Sequence, residues 1–391
     1  MDYYKEALKV HKDHRGKLNV VSSVGVNTPQ ELAVAYTPGV AQPCLEIAKN
    51  TEKVYDYTIK SHTIAVVTDG SAVLGLGNIG PEAALPVMEG KCALFKEFAN
   101  VDAFPIAVDS QSVEEIVKTT QLIAPVFGGI NLEDIAAPRC FEVEKQLNEL
   151  LDIPVFHDDQ HGTAIVVCAA VINAYRLLNK SLEQVKAVVN GAGAAGVSIA
   201  RLLLKIGVKD VVICDSKGAI HSTRPGLDDS KCEITKELKE ARGYGFDADV
   251  KTLSDAVRGR DLFIGVSAAD ALKVEDVKAM NPEPVIFAMA NPVPEIMPDL
   301  AIEAGAAVVG TGRSDFANQI NNVLAFPGIF KGALDARAPK ITDQMKLASV
   351  YALADFIPTQ DLTPQKVIPS AFDAGVAQAV AKAVKEAANQ L

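Results

Sequence analysis

The chain has 391 residues, 49% of them hydrophobic, and a formal net charge of −11. That length predicts two or three domains with sizeable cores, and the acidic balance argues against a nucleic acid or an anionic membrane surface as partner. The start, Met1 to Lys17, is polar and charged and carries no secretory signal. The longest apolar run, Ala164 to Ile172, is too short to span a bilayer. Six scattered cysteines at 44, 92, 140, 168, 214 and 232, with no C-x-x-C pair, predict reduced core thiols and a cytoplasmic protein.

Residues 1–60 read as helices and loops, with turn signals at Thr28-Pro29 and Thr37-Pro38-Gly39. From Thr63 the pattern becomes α/β. Strands are predicted over 64–68, 103–108, 126–131 and 155–156, and helices over 81–99, 112–124 and 138–151. A long apolar helix follows over 162–178, then a strand over 185–190, a helix over 194–206 and a strand over 211–215. Further strand candidates are 262–265, 285–290 and 306–309, and the chain is helical from about Asn322. Strands alternating with helices imply parallel sheets built from βαβ units. The expected fold class is α/β. A Rossmann-type dinucleotide-binding domain spans 159–321. An N-terminal α/β domain spans 1–158 and is completed by the C-terminal helices of 322–391.

Two stretches match G-x-G-x-x-G, Gly75 to Gly80 and Gly191 to Gly196. The second, Gly191-Ala192-Gly193-Ala194-Ala195-Gly196, directly follows a predicted strand and opens a helix. Asp215 ends the next strand, where an acid holds the adenosine ribose hydroxyls. Small Ala194 and Ala195 let the helix N-terminus approach a pyrophosphate. The first stretch stands several residues beyond its strand and reads as a substrate or metal surround. Asp215 favours NAD. Ser216 and Lys217 follow at once and leave NADP open.

Two acidic pairs stand where strands end: Glu133-Asp134 and Asp158-Asp159. Ligands of open α/β sheets collect at such ends. Carboxylates in that number suit a hard cation, Mg²⁺ or Mn²⁺. Any one of these acids is more often a solvated loop residue or a helix cap; two pairs at two strand ends are less so. His157 and His161 flank the second pair at i, i+4, but the stretch reads as a loop and lacks H-E-x-x-H, so zinc is not expected. Taken alone, Lys91 reads as a helix lysine whose amine reaches water; its alternative is a buried base with a lowered pKa. Tyr36 alone reads as a packing residue before a turn.

Together these segments resemble the malic enzymes, in the short bacterial and archaeal form, from about Val20 to the final helices. The resemblance rests on Ala35-Tyr36-Thr37-Pro38-Gly39-Val40-Ala41, Thr68-Asp69-Gly70, Leu74-Gly75-Leu76-Gly77, Glu89-Gly90-Lys91 and Glu133-Asp134. It continues through Phe156 to Thr163, Gly191 to Gly196, Ala290-Asn291-Pro292, Asn321-Asn322 and Phe326-Pro327-Gly328. It implies Tyr36 as general acid, Lys91 as general base in contact with substrate, and Glu133, Asp134 and Asp159 as ligands of Mn²⁺ or Mg²⁺. Asp158 would assist them. Asn291 and Asn321 would hold the substrate carboxylate, with Arg313 adding positive charge. The implied reaction takes L-malate through oxaloacetate to pyruvate and CO₂ with reduction of NAD or NADP, in a homodimer. Rival readings are an oxaloacetate decarboxylase or malolactic-type enzyme on this scaffold, a non-catalytic NAD-sensing protein, and a metal-free dehydrogenase. One departure stands out: larger malic enzymes place an arginine in the Thr-Asp-Gly loop where this chain has Ala72. Carboxylate recognition would then fall to Ser71, Arg313 or Lys91.

Overall fold

Runs of Val, Ile and Ala that are apolar on both faces suit strands covered by helices on both sides, and two such sheets form. The computed structural model describes residues 3–73, 75–242 and 250–390. Leu74 of the first glycine-rich stretch and the chain ends Met1 and Leu391 lie outside the described residues.

The first sheet joins β1 (Thr63–Thr68), β2 (Asp102–Ala107), β3 (Gly129–Leu132) and β4 (Val155–His157) in the order β2-β1-β3-β4, all parallel. The second joins β5 (Lys186–Asn190), β6 (Asp210–Asp215), β7 (Gly218–Ala219), β8 (Leu262–Gly265), β9 (Val285–Ala288) and β10 (Val308–Thr311). Its order is β10-β9-β8-β5-β6-β7, parallel except for the short antiparallel β7. In each sheet the strand order reverses, at β1 and at β5, and the chain opens a crevice at the carboxyl ends beside such a reversal.

Several boundaries differ from expectation for local reasons. Thr28-Pro29 is a helix start rather than a turn: Thr28 accepts the Glu31 N–H and Glu31 accepts the Thr28 N–H, a capping box. β3 begins at Gly129 because Ala124–Val126 forms a 3-10 turn around Pro125. β9 stops at Ala288, and the Ala290 N–H turns to the Glu295 carboxylate. β10 starts two residues late because the Ala306 N–H still closes the preceding helix on Ala301. The long helix runs Asp158–Leu177, four residues longer at its start than predicted. Gly162 reads as a boundary residue but lies inside the helix, where the Asp158 carboxylate fills the space its side chain would take.

That helix is buried along nearly its whole length and links the two sheets through one continuous core. The returning helix Phe326–Asp335 packs on Pro81–Ala99. The Phe326 and Phe330 rings meet Phe95 at 4.7 and 5.5 Å, and Phe330 meets Phe156 at 5.9 Å, at steep interplanar angles. Asn173, fully buried in the long helix, donates to the carbonyls of Ala354 and Val367 and so ties the C-terminal segment to it. The N-terminal segment behaves differently. Helices Tyr3–His14, Pro29–Ala35 and Ala41–Lys49 contain no buried residue. Tyr3, Tyr4, Leu8, Val20, Val21, Val34 and Leu45 are exposed.

Cys92, Cys140, Cys168 and Cys214 are buried and free; Cys44 is exposed and so is not a core thiol. Among the described residues no helix is long and apolar enough to cross a membrane.

Candidate active site

The four acids singled out by sequence converge. Glu133 and Asp134 follow β3, and Asp158 and Asp159 form the first turn of the long helix directly after β4. Glu133, Asp134 and Asp159 each offer a carboxylate oxygen within 4.8 Å of the other two. Asp134 has φ 55°, in the left-handed region that Asp tolerates better than most residues. Its N–H donates to Asp159 Oδ2 at 2.9 Å, which locks the two strand ends together. A helix N-terminus carries partial positive charge, so Asp158 and Asp159 sit where anions are favoured.

Lys91, from the middle of Pro81–Ala99, enters this cluster. Its Nζ lies 2.6 Å from Asp158 Oδ2 and 3.0 Å from Glu133 Oε1, and 4.4 Å from the Phe326 ring centroid. The amine therefore does not reach for water. Burial alone would lower its pKa, but Asp158, Glu133 and Asp159 outweigh burial and raise it. The expected helix lysine reaching water is thus corrected, and the alternative of a buried base is met in its burial but not in a lowered pKa, because three acids face one ammonium. Burial first, then mutual repulsion, pushes the acids up: Asp158 and Glu133 to about 7, Asp134 to about 9 and Asp159 to about 6. Asn131 donates to Glu133 Oε2 at 2.9 Å and Asn322 to Asp158 Oδ2 at 2.6 Å. The buried Asp134 Oδ2 and Asp158 Oδ1 find no donor among the described residues.

The histidines form no site together. His157 is fully buried in β4, and burial lowers its pKa to about 4. His161 bonds Glu144 at 2.9 Å instead, and the Glu144 carboxylate also accepts the His157 N–H at 3.0 Å. Glu144 thus braces the back of the turn that carries Asp158 and Asp159.

The loop after β1 is held by a residue that sequence reading missed. Arg139 donates to Asp69 Oδ2 at 3.0 Å and to Ser71 Oγ at 2.9 Å, and Ser71 donates to Asp69 Oδ1 at 2.5 Å. Ser71 is buried and fully engaged. Its only advance signal was a cation closely following Glu133-Asp134. Arg313 pairs with Asp315 at 2.6 Å and donates to the Pro292 carbonyl at 3.0 Å. Asn291 lies half-buried in the loop after β9, with Gly75 of the first glycine-rich stretch packed against its backbone. Asn321 spends its Oδ1 on the Val323 N–H, at 3.0 Å, while its neighbour Asn322 reaches Asp158. Tyr36 is 67% exposed and no hydrogen bond joins its side chain to the acids.

The second glycine stretch forms the turn between β5 and the helix Ala194–Lys205. Gly191 has φ 121°, and a side chain there would strike the Val266 carbonyl. At Gly196 a Cβ would overlap the Gly191 carbonyl, whereas nothing lies within 4 Å of where one would stand at Gly193. Turn, close helix–strand packing and an open face toward a ligand are what a pyrophosphate cradle needs. Asp215, at the end of β6, accepts two bonds from Arg224 at 2.7 and 2.8 Å and one from the Lys217 N–H at 2.8 Å.

Two family models match the chain: "Malic enzyme, N-terminal domain" over residues 15–148 and "Malic enzyme, NAD binding domain" over residues 160–389. The chain is 57% identical to a bifunctional malic/malolactic enzyme of Bacillus subtilis, over 99% of this chain and 93% of that protein. It is 53% identical to an NAD-dependent malic enzyme of Geobacillus stearothermophilus, over 95% of this chain and 77% of that protein. Its fold matches the crystal structure of an NAD-dependent malic enzyme from Thermotoga maritima with TM-score 0.91 and 50% identity, covering 97% of this chain and 98% of that one.

The packing at the acids makes opposite predictions for two glycines. Gly162→Ala drives a methyl into the Asp158 carboxylate and should destabilise by about 1–3 kcal/mol. Gly90→Ala, beside Lys91 in mid-helix, meets nothing within 4 Å and should be neutral or stabilise by roughly 0.5–1 kcal/mol. Denaturant unfolding of both variants checks the pair; equal effects would contradict the geometry.

Proposed function

The chain belongs to the malic enzyme family and is an enzyme of oxidative malate decarboxylation that uses a nicotinamide nucleotide; we propose that it works with a divalent cation at Glu133, Asp134 and Asp159, and with NAD in preference to NADP. The observation that carries the cation is the convergence of three carboxylates within 4.8 Å, one of whose buried oxygens lacks any donor. Oxygen donors of this number suit Mg²⁺ or Mn²⁺. When bound, the cation would acidify the substrate hydroxyl and polarise the ketone formed from it, and the nicotinamide would accept the hydride.

The chain's own groups then move the protons. Lys91 Nζ takes the proton of the C2 hydroxyl, and Asp158, bonded at 2.6 Å, fixes the amine and faces the ammonium that results. With the charge of Glu133 and Asp159 spent on a cation, two of the three acids that hold the Lys91 pKa up weaken while Asp158 remains, and burial then acts more strongly toward the neutral amine a base requires. Asn291 and Asn321 hold the substrate carboxylate. After CO₂ leaves, the Tyr36 hydroxyl protonates C3 and is recharged from Lys91. One proton thus travels from the hydroxyl to the methyl of pyruvate.

The preference for NAD rests on Asp215, whose carboxylate stands at the ribose end of β6 with its cation Arg224 committed through two bonds. A 2′-phosphate would meet that carboxylate. The domain division follows the same chemistry: residues 1–158 with 322–391 hold Lys91, Glu133, Asp134 and Asp158, and 159–321 hold the nucleotide and contribute Asp159 at the junction. The free, mostly buried thiols suit a cytoplasmic setting. The Bacillus subtilis relative is named for malolactic activity as well, so conversion of malate to lactate with catalytic NAD is the second reading.

The unburied N-terminal helices and their apolar side chains are the face of a homodimer, and the exposed Tyr36 lies on it. We propose that each tyrosine serves its partner's site. Tyr36→Phe and Lys91→Ala homodimers should both lose malate oxidation while keeping nucleotide binding. Co-refolded mixtures should regain a fraction of wild-type turnover, as each heterodimer carries one intact pair. Mixtures as inactive as their parents would contradict supply in trans.

The raised acid pKa values fix a pH dependence. Folded acids that hold protons more tightly than unfolded ones contribute stability at low pH and lose it as pH rises through about 6 to about 9. Metal-free protein should therefore lose stability from about pH 5.5 to about pH 8. Added Mg²⁺ should restore it most at the upper end, by about 2.7 kcal/mol at about 100 times Kd. Thermal melts with chelator and with Mg²⁺ at both pH values test this, and a shift that Glu133→Gln leaves intact would contradict the site.

A further inference from the structure

The buried carboxylate of Glu295 stands apart from the acid cluster and has no part in the reaction as described. It is 0% exposed and makes no salt bridge among the described residues. Its oxygens instead collect donors from two different loops. Oε1 accepts the Ser267 N–H at 2.8 Å and the Ser267 hydroxyl at 3.1 Å, and Oε2 accepts the Ala290 N–H at 3.0 Å. Ser267 in turn accepts Asn190 Nδ2 at 2.8 Å, and Asn190 is the last residue of β5, directly before the glycine turn. Ala290 directly precedes Asn291. β8 ends in Gly265, where any side chain would overlap the Glu295 carboxylate. The backbone repeats the link, since the Glu295 carbonyl accepts the Leu272 N–H at 2.9 Å.

One side chain therefore joins the carboxyl ends of β5, β8 and β9, three adjacent strands at the edge where a nicotinamide must lie. A charge buried without a cation is costly, and only an acceptor of several N–H and O–H groups suits this place. Glutamine would turn an amide N–H toward one of the loop donors. Aspartate is one methylene too short to span both loops.

We propose that Glu295 is a positioning residue for hydride transfer, setting the distance between the nicotinamide seat and the Asn291 loop that orients the substrate. The inference rests on the reading of this site as an oxidative decarboxylase. Hydride transfer needs nicotinamide and substrate at a fixed mutual distance and depends on both loops that Glu295 joins, whereas decarboxylation depends on the Asn291 loop alone and is the less sensitive step. Lys91 and the four acids belong to the other sheet, and no Glu295 bond reaches them.

The test compares Glu295→Gln with wild type in two assays on folded, full-length protein. One is malate oxidation with NAD and Mn²⁺, resolved into kcat and KM. The other is Mn²⁺-dependent decarboxylation of oxaloacetate without nucleotide. The expected result is a loss of ~10²-fold in malate oxidation with oxaloacetate decarboxylation retained within about threefold. The isotope effect with malate deuterated at C2 should rise as hydride transfer becomes limiting. Ser267→Ala, which keeps the carboxylate and removes one donor, should move both readouts the same way by less, and it serves if Glu295→Gln does not fold. Parallel losses in both assays, or no loss in either, overturn the inference while leaving the parent reading intact. A wild type that decarboxylates oxaloacetate but cannot oxidise malate removes the parent reading and this inference with it.

Discussion

Three buried carboxylates and a fourth, the partly exposed Asp159, stand beside one ammonium and carry more negative charge than Lys91 offsets, and much of the structure answers to that imbalance. Asp158 and Asp159 start a helix, so backbone dipoles favour them. Asn131 donates to Glu133 and Asn322 to Asp158. Gly162 leaves room for a carboxylate inside a helix, and Asp134 adopts a left-handed backbone to meet Asp159. These devices reduce the imbalance without removing it, since burial and repulsion still raise all four acids. The divalent cation proposed for this site would supply the missing charge and relieve the hold of Glu133 and Asp159 on Lys91.

The same constraint explains why the chain doubles back. A cluster this polar needs a dry, rigid surround. The long helix from Asp158 and the returning helix Phe326–Asp335 enclose it, with Phe326 packed against Lys91 and Phe330 between Phe95 and Phe156. The second sheet then presents its strand ends to the same region, through Asn291 lying against Gly75. The acid cluster and the glycine turn thus both lie at the carboxyl ends of their sheets, each beside a reversal of strand order.

What sequence revealed and what it hid divide along physical lines. Strongly periodic or wholly apolar segments such as β1, β5, Pro81–Ala99 and Ala194–Lys205 were legible because burial dictates their pattern. The acidic pairs and the glycine turn were legible because their chemistry needs those residue types at those places. Long-range partners were not. Nothing local marks Arg139 as the brace of Asp69, Arg224 as the partner of Asp215, or Asn322 rather than Asn321 as the contact of Asp158. The surroundings of Lys91 were hidden for the same reason: its helix was legible, but the three acids that face it come from the end of β3 and the start of the long helix. The start of the long helix was misplaced because Gly162 and the acids before it mimic a loop, and only the packed Asp158 side chain shows otherwise.

The acid cluster and the glycine turn are proposed to serve one reaction. The most direct measurement follows reduced nicotinamide, pyruvate and CO₂ together during turnover of L-malate with Mn²⁺, with NAD and NADP in parallel and with chelator as control. Equal amounts of all three products are expected, formed faster with NAD, and none once the metal is removed. Turnover that survives chelation, or CO₂ release from oxaloacetate with no reduction of either nucleotide, would contradict that proposal.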